Sequence, residues 1–177
     1  GLKEYIRPYL LRGLKPTHAN QVWCTDITYI TMKHGFMYMT AIIDVYSRKI
    51  VGWSISNSMT AEWCKQVLED AITVHGKPEI VNSDQGCQYT SAVWIQYLEA
   101  NKIKISMDGK GRALDNVWIE RFWRTIKYEY IYLNPAEDGL ELFEGVQNHI
   151  GYYHDKIHQT TRESPNNRYE ESVRNAA

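Results

Sequence analysis

The sequence is poor in several features that define whole classes of protein. It has 3 cysteines in 177 residues and no CxxC pair, so it indicates neither a disulfide framework nor a zinc ribbon. Its longest largely apolar run, residues 36–43, is far shorter than the roughly 20 residues that cross a bilayer, and no signal peptide is visible at its start. These absences predict a cytoplasmic protein with reduced thiols and no membrane partner.

The sequence also lacks an excess of charge of one sign. It has 20 basic and 21 acidic residues, and the resulting net charge of −1 excludes nucleic-acid binding through bulk positive charge. A local basic patch is compatible with this balance, because residues 102–130 contain seven basic and four acidic side chains. Gly109 and Gly111 in that segment would allow a loop to close on bound DNA.

Aromatic residues, in contrast, are abundant. The 13 Tyr and 6 Trp exclude a disordered chain, and the length suits one domain with short appendages. We therefore divide the sequence into a linker or short helix at 1–19, a core at 20–155 and a tail at 156–177.

The order of predicted elements indicates an α/β fold. Strands are predicted from β-branched and aromatic runs at 22–32, 36–45, 49–56, 79–82 and 103–106. Helices are predicted at 61–75, 92–100, 115–133 and 139–155, with Thr60, Ser91 and Asp115 as N-caps of the first three, and residues 165–172 form a short amphipathic tail. The first three strands should form an antiparallel meander. The whole order predicts a mixed five-stranded sheet with helices on both faces.

Three carboxylates carry the chemistry. Asp26 lies within the first strand, Asp84 directly follows the fourth, and Glu120 lies near the start of the long helix. Each alone has an ordinary explanation: a strand edge, a turn or a solvated helix face. Together they are a sufficient oxygen shell for two Mg²⁺ or Mn²⁺ ions about 3.5–4 Å apart, an arrangement that promotes displacement at phosphorus.

The long helix divides into two stripes at about 100° per residue. The polar stripe contains Asn116, Glu120, Arg124 and Lys127. The apolar stripe contains Ile119, Trp123 and Ile126. The basic residues near Glu120 lie where phosphates would bind, so we expect DNA contacts from Lys110, Arg112, Arg124 and Lys127.

Four stretches resemble one known family. They are WCTDITYI (23–30), IIDVYSRKIVGW (42–53), SDQGCQYTS (83–91) and SMDGKGRALDNVWIERFWRTIKYEY (106–130). They are similar to the second-frame protein of IS-three insertion-sequence transposases, whose core is similar to retroviral integrase. As in that family, 35 residues separate Asp84 from Glu120.

The resemblance implies a ribonuclease-H-like fold with Asp26, Asp84 and Glu120 as the catalytic, metal-binding triad. It also implies DNA cleavage and strand transfer with two Mg²⁺ or Mn²⁺ ions, acting on transposon ends and target DNA in the bacterial cytoplasm, with homo-oligomers assembled on DNA. Asn116 and Lys127 match positions that flank the family's glutamate, and the resemblance implies that both support the site and contact DNA.

The resemblance is incomplete at both ends of the sequence. The family's tail carries Asn where this sequence has His154, and no clear Arg precedes His158. The family's N-terminal helix-turn-helix region is missing, so we expect a truncated chain that binds DNA weakly. We interpret His149, His154 and His158 as solvent- or DNA-facing and Asp44 as a turn-stabilising residue.

Two alternatives remain open. An RNA–DNA hybrid nuclease of the same fold would use the same three carboxylates. A non-catalytic DNA-binding or assembly module would need none of them, and the complete triad argues against it.

Overall fold

The computed structural model describes residues 2–177 and their side chains, apart from the side chains at 2, 3, 113 and 114. The strands are β1 (Val22–Thr31), β2 (Phe36–Asp44), β3 (Ile50–Ser56), β4 (Ile80–Ser83) and β5 (Lys104–Met107). The helices are α1 (Ala61–His75), α2 (Ala92–Ala100), α3 (Val117–Ile126), α4 (Gly139–Asp155) and α5 (Pro165–Ala176). Short 3₁₀ turns occupy Leu2–Tyr5 and Ala113–Asn116, and a π-helical turn follows α3 at Lys127–Ile131.

The five strands form one sheet in the order β3-β2-β1-β4-β5. The first three pair antiparallel, whereas β4 is parallel to both β1 and β5. The predicted meander and mixed sheet are therefore confirmed. The register places Cys24 of β1 beside Asn82 of β4, and Ser83 of β4 beside Met107 of β5.

Alternate residues of β1 face different layers of helices. Val22 and Cys24 pack with residues of α3 and α4 in one core cluster. Trp23 belongs to a second cluster that includes residues of α1 and α2. Helices therefore cover both faces, as predicted. None of the helices within residues 2–177 combines the length and apolar composition that a membrane crossing requires.

The predicted N-caps are correct for two helices and wrong for the third. Thr60 and Ser91 accept hydrogen bonds from the third residues of α1 and α2, as predicted. Asp115 is not an N-cap, because its Oδ2 accepts the Gly109 N–H across the loop at 2.9 Å. The chain enters α3 through a 3₁₀ turn, and Asn116, the residue before α3, makes no side-chain capping bond to any described residue.

The segment before β1 lies against the far edge of the sheet. The Leu10 N–H donates to Ser106 Oγ at 2.9 Å, and the Met107 N–H donates to the Pro8 carbonyl at 3.2 Å. Leu11 is buried in the core cluster beneath α3 and α4. These contacts connect residues 8–11 to β5, the last strand before the loop that leads to α3.

Candidate active site

The parallel pairing of β1 and β4 brings Asp26 and Asp84 to the same part of the sheet. Cys24 pairs with Asn82, and each aspartate lies two residues further along its chain. Asp26 is half-buried on the side of α3, where the Trp123 indole N–H donates to its Oδ2 at 3.2 Å. The sequence pattern assigned Trp123 to packing alone, so its contact with a catalytic candidate was not predicted.

Asp26 is electrostatically crowded. Burial, followed by the charge of Asp84, raises its pKa to about 7, while hydrogen bonds from Ile27 and Trp123 oppose the shift. Glu120 also raises this pKa, by a smaller amount than Asp84. Asp84 and Glu120 therefore both lie within electrostatic reach of Asp26.

A backbone turn fixes the Asp84 carboxylate. The Gly86 N–H donates to Asp84 Oδ1 at 2.8 Å. A Cβ atom at Gly86 would lie 2.9 Å from the same oxygen, so a larger residue there would displace the Asp84 carboxylate. Glu120 differs from the two aspartates, because its side chain is exposed on the first turn of α3.

The donor set suits a hard divalent cation. Carboxylate oxygens are the ligands that Mg²⁺ and Mn²⁺ prefer, and a cation would offset the mutual repulsion around Asp26. Within residues 2–177, however, no three Asp, Glu, His or Cys side chains approach closely enough to form a metal-binding group.

Asp108 is a fourth acid at this edge, and it was not predicted. It follows β5 directly, as Asp84 follows β4, and its N–H donates to the Ser83 carbonyl at 2.8 Å. Its buried Oδ1 accepts from Asn82 Nδ2 at 2.7 Å. Burial, with smaller contributions from neighbouring acids, raises the pKa of Asp108 to about 6 despite that hydrogen bond. Its position directly after a short strand was the available signal.

A chain of hydrogen bonds connects this edge to the N-terminal segment. Ser106 Oγ accepts from the Leu10 N–H and donates to Asn82 Oδ1 at 2.7 Å, and Asn82 in turn holds Asp108. Tyr9 Oη donates to the Asp115 carbonyl at 3.0 Å. Residues 9 and 10 thus support both ends of the loop between β5 and α3.

The polar stripe predicted for the long helix is only partly correct. Glu120 and Arg124 are exposed, as are the loop residues Lys110 and Arg112. Asn116 is buried in the 3₁₀ turn, and its Oδ1 has no hydrogen-bond partner among the described residues. The helical-wheel prediction treated residues 115–133 as one regular helix, and the 3₁₀ turn at the start of this span changes the direction of Asn116.

Lys127 reaches back across the sheet instead of into solvent. Its Nζ donates to Thr28 Oγ1 at 2.6 Å and lies 5.6 Å from the centroid of the Tyr29 ring. Burial lowers the pKa of Lys127, while Glu120 and Asp26 raise it. Thr28 is two residues beyond Asp26 on the same face of β1, so Lys127 lies beside the carboxylates.

The prediction that the tail histidines face solvent or DNA is wrong for His154. His154 Nε2 accepts the Ile50 N–H at 3.0 Å, and burial lowers its pKa to about 4. His158 contacts the Tyr153 carbonyl, and His149 stacks on Tyr130. The sequence contains no sign of these partners, since they lie on other elements or depend on how the chain turns after α4.

Asp44 has the turn-stabilising role predicted for it. It is fully buried, and its Oδ2 accepts from the Ser47 N–H and Oγ at 2.9 and 2.6 Å. Its Oδ1 accepts the Asn20 N–H at 2.8 Å.

Comparison with known sequences agrees with the geometry. A sequence profile described as integrase core domain matches residues 16–113, which is more than half of the chain and includes Asp26 and Asp84. The chain belongs to the integrase core domain family. A second integrase core profile matches residues 101–165 and includes Glu120.

The integrase core relatives include bacterial transposases. The transposase for insertion sequence element IS904 of Lactococcus lactis is 38% identical over 157 residues, which are 85% of this chain and 61% of the relative. Transposase InsF for insertion sequence IS3A of Escherichia coli is 37% identical over 115 residues, 64% of this chain and 40% of the relative. The predicted resemblance to IS-three transposases is confirmed, and the chain spans about 60% or less of these relatives' lengths.

Solved structures with the same fold come from retroviral integrases. The integrase catalytic core domain of HTLV-2 in complex with magnesium superposes with a TM-score of 0.72 at 18% identity, covering 88% of this chain and 99% of that one. A simian T-cell lymphotropic virus intasome in complex with PP2A regulatory subunit B56 gamma gives a TM-score of 0.78 at 17% identity, covering 88% and 56%. The expected ribonuclease-H-like fold is confirmed.

Proposed function

We propose that this integrase core domain cleaves a DNA phosphodiester and joins the freed 3′ end to another DNA strand. The proposal rests on the register of β1 and β4, which sets Asp26 and Asp84 side by side, with Glu120 close enough to raise the pKa of Asp26. Membership of the integrase core family and the transposase relatives support it.

Asp26, Asp84 and Glu120 are the residues that would hold Mg²⁺ or Mn²⁺. Two such ions, when bound, activate an attacking oxygen and stabilise the leaving oxygen at phosphorus. Trp123 orients the Asp26 carboxylate and the Gly86 N–H orients that of Asp84. Water is the nucleophile in cleavage and the 3′-hydroxyl in joining, so no residue forms a covalent intermediate.

The basic residues around Glu120 position the DNA. Lys110 and Arg112 are exposed on the loop before Glu120, and Arg124 is exposed one turn after it on α3. Lys127 lies close to Asp26. Asn116 contributes a buried amide oxygen that no described residue satisfies. Phosphate contacts fix the register of a duplex without reading its sequence, so binding by these residues is weak and non-specific.

The proposed reaction takes place on DNA in the bacterial cytoplasm, and the bacterial origin of the transposase relatives supports this setting. Transposon ends and target DNA are the proposed substrates, and we expect copies of the protein to assemble on them.

A nuclease and strand-transfer assay tests the proposal. Labelled DNA duplexes are incubated with the protein and Mg²⁺ or Mn²⁺, beside Asp26→Asn, Asp84→Asn and Glu120→Gln. Each variant removes an anionic oxygen ligand at nearly constant shape, so product should fall on the order of a thousandfold. Asp70→Asn, on the exposed face of α1, is the matched control and should retain full activity.

Three outcomes would contradict the proposal in different ways. Activity within about tenfold of wild type in one triad variant would remove that residue from the site. Cleavage of RNA–DNA hybrids without any DNA strand transfer would support the hybrid nuclease. Saturable DNA binding without metal binding by calorimetry, and without cleavage, would support a non-catalytic module.

A further inference from the structure

A second charged region lies along α3, outside the carboxylate site. It is a cavity of about 430 Å³ between α3, α4 and the loop at 156–161. Residues from both helices and from the turn after β2 line it, whereas Asp26, Asp84 and Glu120 lie outside its lining. Nothing in the proposed reaction uses this cavity.

Positive charge in the cavity is poorly compensated. Arg48, Arg121 and Lys156 contribute cations from three separate elements, and Glu129 is the single acid in the lining. Among the residues that the structure describes, the ion pairs involve other side chains, and the Arg48 guanidinium donates to the neutral carbonyl of Val45. The site therefore favours an anion.

Crowding of like charges supports the same conclusion. Arg48 is half-buried, and burial lowers its pKa, with further lowering from Arg121 and Arg168, while Tyr153 and Asp44 oppose the shift. The guanidinium stays protonated at neutral pH despite such a shift. An anion bound between Arg48 and Arg121 would relieve both the desolvation and the repulsion.

Aromatic side chains form another part of the lining. Trp118 and Tyr152 line the cavity, and Lys156 Nζ lies 5.7 Å from the centroid of the Tyr152 ring. His149 also lines it, and within the described part of the chain its buried Nε2 has no hydrogen-bond partner. Aromatic rings beside basic side chains are the combination that binds a base and its phosphate.

The position of the cavity on α3 points to the occupant. Arg121 directly follows Glu120, and successive helical residues are about 1.5 Å apart along the axis and about 100° apart around it. A strand with one phosphate at Glu120 could therefore place a nearby phosphate beside Arg121. We propose that this cavity binds a phosphate and adjoining base of a DNA strand, as an anchoring site separate from the carboxylates. The choice of DNA as the polyanion rests on the proposed function.

A charge-reversal experiment tests the phosphate contacts. The protein carrying Arg121→Glu and Lys156→Glu is compared with one carrying Lys77→Glu and Lys104→Glu, which are exposed and outside the cavity. Both double variants change the net charge equally. Affinity for a fluorescein-labelled single-stranded oligonucleotide of about 15 nucleotides, within the usual range of single-strand site sizes, is measured by anisotropy at several salt concentrations. EDTA is present throughout, so that no metal-dependent step contributes.

The cavity variant should bind at least about tenfold more weakly than the control variant. Its salt slope should fall by about 0.7, since the loss of one phosphate contact on a single strand removes about that amount. Equal affinities and parallel salt dependences for the two double variants would overturn the proposal.

A second pair of variants tests the base contact. Tyr152→Ala removes an aromatic wall, and Tyr132→Ala removes a similarly exposed tyrosine outside the cavity. Tyr152→Ala should weaken binding of the oligonucleotide on the order of tenfold, whereas Tyr132→Ala should leave it unchanged. Identical binding by the two tyrosine variants would restrict the site to phosphate and overturn the base contact.

The results also separate this proposal from the proposed function. Binding without metal does not depend on cleavage, so loss of binding in the cavity variant would support the anchoring site even if the wild type proves inactive. Sedimentation of the same variants provides the other test. A change of oligomeric state with unchanged DNA affinity would show that the cavity holds a second copy of the chain, which would overturn the DNA anchor.

Discussion

Helix α3 separates two regions that concentrate charge of opposite sign. On one side, burial and the charges of Asp84 and Glu120 raise the pKa of Asp26. On the other, burial and the charges of Arg121 and Arg168 lower the pKa of Arg48. Glu120 and Arg121 are neighbours in sequence, yet they belong to different regions. In both regions crowded like charges cost stability in the free protein, and a ligand of opposite charge recovers that cost.

The two regions also differ in how they are held together. Backbone pairing positions the carboxylates, because Asp26 and Asp84 follow the register of parallel strands. Side-chain packing forms the cavity, where Tyr130 stacks on His149 and Tyr153 lies against His158. Substitutions of side chains should therefore distort the cavity more readily than the carboxylate edge.

The largest expected effect is on the carboxylate side. The pKa of Asp26 rises from 3.8 to about 7 on folding, so the folded protein favours the protonated carboxyl group. The free energy of unfolding therefore falls as the pH rises through this range. At about pH 8 without metal, Asp26→Asn should therefore be more stable than wild type by about 4 kcal/mol. Urea unfolding at that pH measures the difference.

Metal provides the control for this prediction. Mg²⁺ should stabilise the wild type against urea and leave Asp26→Asn nearly unchanged, since the variant lacks an anionic ligand. Asp70→Asn should respond to Mg²⁺ as the wild type does. Equal stability of wild type and Asp26→Asn in alkaline buffer would mean that neither burial nor the neighbouring acids disfavour the ionised Asp26 carboxylate.

The next largest effect concerns His154, which lies on α4, one of the helices that line the cationic cavity. Its pKa falls from 6.5 to about 4 on folding because of burial, followed by the charge of Lys49. Neutral His154 contributes to the free energy of unfolding above about pH 6.5. This contribution is lost as the pH falls towards about 4, where the protein is less stable by about 3 kcal/mol. His154→Asn should remove this dependence, because asparagine can still accept from the Ile50 N–H but does not titrate. Parallel pH–stability curves for the two proteins would contradict the assignment.

A third prediction concerns the wall of the cavity alone. A Cβ at Gly145 would overlap Tyr130 Oη, so Gly145→Ala must displace the tyrosine that stacks on His149. We expect a loss of about 2 kcal/mol in thermal or urea unfolding. Gly151→Ala is the control on the same helix, where a Cβ would meet no described atom within 4 Å, and it should stabilise the protein by about 0.5–1 kcal/mol. If both variants gain stability, the packing of Tyr130 on α4 is wrong.

The smallest effect concerns Lys127. Lys127→Ala loses the hydrogen bond to Thr28 and should lower stability by about 1 kcal/mol. It should also weaken DNA binding and reduce the salt slope by about one if Lys127 contacts a phosphate. Thr28→Val removes the same hydrogen bond but keeps the charge, so its salt slope should match the wild type. A normal slope for Lys127→Ala would confine the lysine to a structural role.

Most of the architecture and the three carboxylates follow from local patterns in the sequence. Strand composition and helical periodicity predicted the five strands and the first four helices in the right order, because both depend on the local spacing of apolar residues. Helix α5 (Pro165–Ala176) was predicted only as an amphipathic tail. Thr60 and Ser91 were correct caps for the same reason, since a cap bonds within its own turn. The family was also predictable, because the spacing between Asp84 and Glu120 is a property of the sequence.

Which distant groups meet depends instead on the tertiary structure. Thr28 and Lys127 are 99 residues apart, and Ile50 and His154 are 104 apart. Asp108 joins the carboxylate edge through the pairing of β4 with β5, and Asp115 bonds across a loop instead of capping a helix. These partners depend on strand register and on the packing of α3 and α4 against the sheet. Neither leaves a local pattern in the sequence, because the contact forms only when remote segments are brought together.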